Sequence, residues 1–308
     1  LVSGVALETR VGSLLLRNPV LAASGTFGYG LDLVDLCPPE ALGGVVTKGL
    51  SPRPRAGNPT PRIVETPAGM LNSIGLQNIG VEAFCRDVLP ELRRRGALVV
   101  VNVFGETEEE YAQVVGRLEQ EEGIAAYELN VSCPNVAKGG MEFGHDPRLL
   151  GELVRGLATA SHRPIWVKLS PNAPDPLAVA EAALAFGAQA LSLVNTFRAL
   201  AIDPCKRRPV LATGFGGLSG PAIKPLALRL VWELHRAFPQ APLVGIGGIM
   251  TGEDAVEFLL AGASAVQVGT ATFRNPRACL EVLEGLVAFC QREGVREVRE
   301  LVGGLAWP

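Results

Sequence analysis

This chain carries no excess of either charge: across 308 residues, 28 Lys and Arg stand against 31 Asp and Glu, a formal net charge of −3. No block of like charge is longer than residues 108–110. That argues against a broad basic footprint for nucleic acid or for an anionic membrane surface, and leaves room only for a local basic patch. No apolar run approaches the roughly 18 residues of a membrane span, and no basic segment followed by a hydrophobic stretch opens the sequence. A soluble, cytoplasmic protein is expected. The six cysteines include no C-x-x-C pair, which argues against a disulfide framework and against a zinc site. The three histidines, His145, His162 and His235, fall on or beside expected helices, so imidazole is a poor candidate for a catalytic base. Glycine (36) and proline (23) are too few for a low-complexity chain. Hydrophobic residues make up 48%, enough to bury a large core and to exclude a mainly disordered chain.

What is present is a repeated unit: a short apolar run, a glycine or proline turn, then an amphipathic helix. Candidate strands fall at 19–22, 44–47, 97–103, 127–131, 165–169, 190–194, 243–246 and 265–268. They are apolar throughout rather than alternating, as parallel strands covered on both faces should be. Between them, Val81, Phe84, Cys85, Val88, Leu89 and Leu92 keep helical spacing up to a stop at Gly96. Thr107 with Glu110 reads as a capping box. Asp146-Pro147, Asp175-Pro176 and Asn275-Pro276 read as N-caps followed by proline. Alternating strands and helices point to an α/β protein, and eight strands close a (β/α)8 (TIM) barrel. The length would allow two domains at about 150 residues each, but such barrels often exceed about 200 residues as one unit. One domain over residues 1–308 is expected. The first 16 residues read as an N-terminal hairpin closing the barrel floor. Long insertions at 51–80 and 195–221 would lie in βα loops at the C-terminal face, where barrel active sites form.

The last two strands end in VGIGGIMTGEDA and VQVGTATFRNP. Small residues there let backbone N–H groups approach a phosphate, helped by the positive end of the following helix. Lys48, Asn102, Asn130, Lys168 and Asn195 close five other strands. Polar groups at the ends of buried strands need partners, and five at one barrel mouth would line a polar pocket. Lys168 holds a cation against apolar walls, suited to an anion forming on a ligand. Phosphate together with such an anion suggests flavin mononucleotide (FMN). Cys133, in ELNVSCPNVAKGGMEFG, lies beside Asn130 and Asn135, ahead of Lys138, Gly139 and Gly140 in a stretch with no regular period. Its thiol could deprotonate a substrate, attack it, or simply pack; with histidine set aside it is the better candidate base.

These segments together resemble dihydroorotate dehydrogenase. The matching stretches, in order, are ASGTFGYG, TKGLSPRPRAGNPTPRIVETPAGMLNSIGLQN, ELNVSCPNVAKGGMEFG, VKLSPN, NTFRALAID, GGLSGPAIKP, GIGGIMTGEDA and VGTA. They span nearly the whole chain and are specific as a set, whereas GIGGI alone would be weak. The resemblance implies an FMN enzyme oxidising (S)-dihydroorotate to orotate in de novo pyrimidine (UMP) biosynthesis, with Cys133 taking a proton from C5 as hydride leaves C6 for flavin N5. It implies FMN contacts at Ser24, Lys48, Gly49, Asn102, Asn130, Lys168, Val194, Gly220, Gly247, Gly248, Gly269 and Thr270. Substrate contacts are implied at Lys48, Asn72, Ser73, Ile74, Gly75, Leu76, Asn130, Asn195 and Thr196. Asparagine amides suit the amide edges of orotate, and Lys48 offsets its charge.

A cysteine base resembles the soluble class 1 enzymes rather than the membrane-associated class 2 relatives, which use serine. TKGL, GLQN and CPNVAKGG resemble type 1B. That type implies a homodimer of this chain joined to an electron-transfer subunit carrying FAD and a [2Fe–2S] cluster, a heterotetramer that passes electrons to NAD+. The scattered cysteines here could not hold that cluster, so it is expected only on the partner. Residues 198–200 depart from the family pattern of glycine and methionine, and altered loop packing is expected there. Three rivals remain: a fumarate-reducing type 1A enzyme, a dihydrouridine synthase (which would need a basic RNA-binding extension), and a non-catalytic flavin barrel acting as a binding partner.

Overall fold

The computed structural model describes residues 4–131 and 143–307. Eight strands form a closed barrel: β1 (Val20–Ala22), β2 (Gly44–Val46), β3 (Val99–Val103), β4 (Ala126–Asn130), β5 (Ile165–Lys168), β6 (Ala190–Leu193), β7 (Leu243–Ile246) and β8 (Ala265–Val268). Each pairs in parallel with the next, and β8 returns to β1 through Val266↔Val20. This is the (β/α)8 fold that the alternation of apolar runs and helices predicts. The strands lack the inside–outside alternation of an open sheet because helices cover one face and the barrel interior covers the other.

The interior is layered. Inward-facing residues lie two apart along each strand, and the lower layer is apolar: Leu21, Val46, Val100, Ala126, Trp166, Ala190, Val244 and Ala265. Val11 and Leu16 join that layer from an antiparallel hairpin, Thr9–Val11 with Leu14–Leu16. The hairpin closes the floor, as its position in the sequence suggests.

Helix ends follow the sequence with two exceptions. Asp146 Oδ1 accepts from Arg148 N (2.8 Å) and Leu149 N (3.2 Å), and Asp175 Oδ1 accepts from Ala178 N (3.0 Å). Asn275, expected as a third N-cap, ends the short helix Ala271–Arg274, and its Oδ1 accepts from Arg277 N (3.0 Å) in the turn that leads into the next helix, which starts at Ala278. The expected Thr107 box is only half made. Thr107 Oγ1 accepts from Glu110 N, but Glu110 Oε2 accepts from Glu106 N. The run from Val81 to Gly96 is helical but opens into a π turn over Phe84–Val88. The cause is Pro90: it offers no N–H to the Arg86 carbonyl and its ring crowds that oxygen, so the turn widens.

The two long insertions meet. Strands Ile63–Thr66 and Gly69–Asn72 come from the segment after β2, and Phe197–Leu200 and Phe215–Ser219 from the segment after β6. They form one antiparallel sheet in which Met70, Leu71 and Asn72 face Ser219, Leu218 and Gly217. β2 and β6 stand on opposite sides of the barrel, so this sheet joins two sides of the rim.

Candidate active site

Above the apolar layer, the same inward faces turn polar. Asn102, Glu128, Ser192 and Gln267 are fully buried, and Lys168 is 6% exposed. Glu128 Oε1 accepts from Asn102 Nδ2 (2.8 Å), while Oε2 accepts from Ser192 Oγ (2.7 Å) and Gln267 Nε2 (2.6 Å). The Lys168 ammonium has neither a hydrogen-bond nor an ion-pair partner among the described residues. Sequence reasoning selected Asn102 and Lys168 but missed Glu128, Ser192 and Gln267. The signal was present: they stand two residues before Asn130, Val194 and Gly269, hence on the same inward face.

One step further toward the rim, Asn195 Nδ2 donates to Asn130 Oδ1 (3.2 Å), and Asn195 Oδ1 accepts from Thr196 N (2.9 Å). The Asn130 carbonyl accepts from Tyr111 Oη at 2.8 Å. These bonds bring three expected substrate contacts, Asn130, Asn195 and Thr196, into one chain. Lys48 is half-buried behind β2, with its backbone N donating to Gly28 O (2.9 Å). Burial, and then the positive charge of Arg62, lower the pKa of its ammonium, so an anion beside it would be well received. Gly49 lies against Asn102: a Cβ there would come 2.9 Å from Asn102 Oδ1.

The run from Asn72 to Leu76 is held by its neighbours rather than by regular structure. Asn72 Nδ2 donates to Gly217 O (3.4 Å), Asn58 N to Ile74 O (2.9 Å) and Asn58 Nδ2 to Ser73 O (3.0 Å). Leu76 takes a positive φ of 57°, a conformation that a branched side chain adopts only when its surroundings impose it. Within residues 198–200, the side chains of Arg198 and Leu200 turn to the exposed face of the sheet, and Ala199 to the other. Arg198 lies 4.4 Å over the Phe215 ring, and Leu200 is exposed, so two of the three departing positions sit on the outer face of the sheet.

On the other side of the rim, glycines pack where side chains cannot. A Cβ on Gly248 (φ +74°) would lie 2.7 Å from Lys224 Cβ and 2.9 Å from Gly220 O. On Gly220, it would lie 2.7 Å from Gly69 Cα and 3.6 Å from Thr270 Cγ2, and on Gly247, 3.4 Å from Val194 Cγ2. Thr270 Oγ1 donates to Ser219 Oγ (2.8 Å), and a Cβ on Gly269 would lie 3.4 Å from Ala23, the neighbour of Ser24. Gly220, Gly247, Gly248 and Gly269 thus come together as a cradle of bare backbone, flanked by the Val194 and Thr270 side chains. Lys224 is already engaged with Asp254 (2.6 Å) and Glu257 (2.9 Å), which leaves backbone N–H groups as the donors for an anion. Cys133, with Asn135 and Lys138, lies outside the described residues.

The family model described as dihydroorotate dehydrogenase matches residues 6–290. The chain belongs to the dihydroorotate dehydrogenase family. Relatives named dihydroorotate dehydrogenase B (NAD(+)), catalytic subunit, occur in Pelobacter propionicus, 54% identical, and in Geotalea uraniireducens, 52% identical, each over 97% of this chain and 98% of the relative. A Solibacter usitatus protein named putative dihydroorotate dehydrogenase A (fumarate) is 56% identical over the same shares. The crystal structure of the Eimeria tenella dihydroorotate dehydrogenase in complex with ferulenol superposes with a TM-score of 0.81 at 23% identity, covering 97% of this chain and 88% of that one. That likeness shows the shared fold.

Dihydroorotate dehydrogenases are flavin-dependent oxidoreductases, and the residues present fit a flavin on three counts. Asn102 Oδ1 is buried without a partner among the described residues. The Gly220, Gly247 and Gly248 cradle admits no side chain. Lys168 offers an uncommitted cation among the described residues. No helix among the described residues is long and apolar enough to cross a membrane.

Proposed function

We propose that this chain, as one domain, is the catalytic subunit of an NAD+-linked dihydroorotate dehydrogenase, oxidising (S)-dihydroorotate to orotate in pyrimidine biosynthesis. The observation that carries this reading is the placing of a close-packed glycine cradle, after β6, β7 and β8, directly above a polar, lysine-bearing layer of the barrel interior, in a chain of this family. When bound, FMN supplies the acceptor for the hydride that leaves C6 of the pyrimidine. The glycines after β7 and β8, with Gly220 and Thr270, hold its phosphate through backbone N–H groups, and Ser24, Gly49 and Val194 line its path. Lys168 and Lys48 set positive charge at the wall where negative charge develops, a contribution that is large where water is excluded. Asn72, Asn130, Asn195 and Thr196 pair with the amide edges of the pyrimidine, and Lys48 faces its carboxylate. The 73–76 backbone closes against the pyrimidine. Cys133 removes the C5 proton, the role that its place after Asn130 supports.

The names of the Pelobacter and Geotalea relatives, both catalytic subunits, support a partner subunit. In this reading two copies of the chain join two FAD and [2Fe–2S] electron-transfer subunits in the cytoplasm. The Solibacter relative favours a second reading in which fumarate is the acceptor. Efficient fumarate reduction by the chain purified alone would select it.

The test of the main reading is Cys133→Ala. The variant should retain FMN while dihydroorotate bleaches its colour at least about 100-fold more slowly, the range expected for loss of a general base. Bleaching at the wild-type rate would remove Cys133 from the reaction.

A further inference from the structure

Glu128 belongs to neither set of expected contacts, yet it is the hub of the barrel's polar layer. Three donors converge on its two oxygens: Asn102 Nδ2, Ser192 Oγ and Gln267 Nε2, all within 2.8 Å. A carboxylate only accepts hydrogen bonds, so each amide beside it must turn its NH2 inward. The atoms left over are Asn102 Oδ1 and Gln267 Oε1, both buried and both without a partner among the described residues. Two orphaned acceptors in one layer are unusual, because a buried polar atom ordinarily finds a partner. Asn102 Oδ1 lies beside Gly49, on the face where the flavin contacts gather.

We propose that Glu128 is a positioning residue that locks the Asn102 and Gln267 amides so that both present oxygen, and not N–H, to hydrogen-bond donors of the bound flavin. The proposal rests on the flavin reading given above. Its chemistry is a choice of polarity: an amide can offer either end, and the buried carboxylate removes the choice. Replacing Glu128 by glutamine keeps the shape but puts an NH2 where an acceptor stood. One of the two neighbouring amides must then turn over and offer N–H to the ligand. Ser192 adapts, since a hydroxyl both donates and accepts.

The experiment measures FMN affinity by fluorescence quenching after the flavin is stripped, with a melting temperature for each protein. Glu128→Gln should bind FMN about tenfold more weakly or worse, the cost of a mismatched buried hydrogen bond. Adding Asn102→Asp or Gln267→Glu to that variant puts an acceptor-only group back in the turned position. One of these double variants should return the affinity to within about threefold of wild type. A merely structural carboxylate would not be rescued by moving the charge to a neighbour. Unchanged affinity in Glu128→Gln, or a loss that neither double variant repairs, overturns the role of Glu128. A wild-type chain that binds no flavin overturns the flavin reading instead.

Discussion

Gly217 is a glycine because Thr196 occupies the space where its side chain would be. A Cβ at 217 would sit 2.0 Å from Thr196 Oγ1 and 2.6 Å from Thr196 Cβ, a clash that rotating the hydroxyl cannot relieve. Gly217→Ala should therefore displace Thr196 and raise the KM for dihydroorotate several-fold while flavin content stays at the wild-type level. Steady-state kinetics beside the visible spectrum checks both halves. At this scale the sequence was legible where a polar residue closed a strand: Lys48, Asn102, Asn130, Lys168 and Asn195 stand out against apolar neighbours. Glu128, Ser192 and Gln267 were not, because inside a strand one polar residue looks like an interruption. Only the closed barrel shows that their partners come from β3, β4, β6 and β8. Gly217 stood within GGLSGPAIKP, but nothing local gave the reason for a glycine there, since the neighbour that requires it is set by the pairing of Phe197–Leu200 with Phe215–Ser219.

The strands of the barrel were legible to within two residues at either end, since eight apolar runs separated by capped helices leave few alternatives. The sheet across the rim was not. Its strands are short, and Gly217 pairs with Asn72, a residue 145 positions away; no local pattern announces such a partner. The helix before β3 was legible in kind but not in geometry, because its apolar spacing hides the effect of Pro90. Its end was legible, and it yields a paired prediction. Gly96 caps this helix at φ 72° with nothing within 4 Å of a would-be Cβ, and Gly156 lies inside the helix Pro147–Ala160 with equal space around it. Gly96→Ala should lower stability by about 1 kcal/mol, and Gly156→Ala should raise it by about 0.5–1 kcal/mol. Urea melts of the two variants should move in opposite directions, and steric crowding cannot account for either.

For the whole molecule, the order of the barrel followed from the sequence, but the cluster that ties its lower rim did not. Glu119 accepts from Tyr127 Oη (2.9 Å), Ser161 Oγ (3.0 Å), His162 N (3.2 Å) and His162 Nδ1 (3.0 Å), and pairs with Arg163 (3.1 Å). Burial alone would raise its pKa, but the His162, Tyr127 and Ser161 bonds outweigh burial and bring it down to about 2. The folded value lies below that of an unfolded carboxylate, near 4.3. Its contribution is therefore complete above about pH 5 and is lost as the pH falls toward 2. Melting temperatures measured from pH 6 to pH 2.5 should fall more steeply for wild type than for Glu119→Gln. Parallel curves would mean that the cluster does not couple to folding.

The hairpin under the barrel has a consequence for everything above it. Val11 and Leu16 cork one end, so a water molecule or ion can approach the buried carboxylate only from the side that receives the ligand. A flat ring seated there becomes its own stopper. Beneath a flavin held as proposed, Glu128, Lys168 and the two amides would stand in a well out of reach of bulk water, where attraction between charges is weakened far less than in bulk solvent. In that reading the cell's ionic strength would be screened at the lip of the well, and the electrons would meet a field set chiefly by the protein.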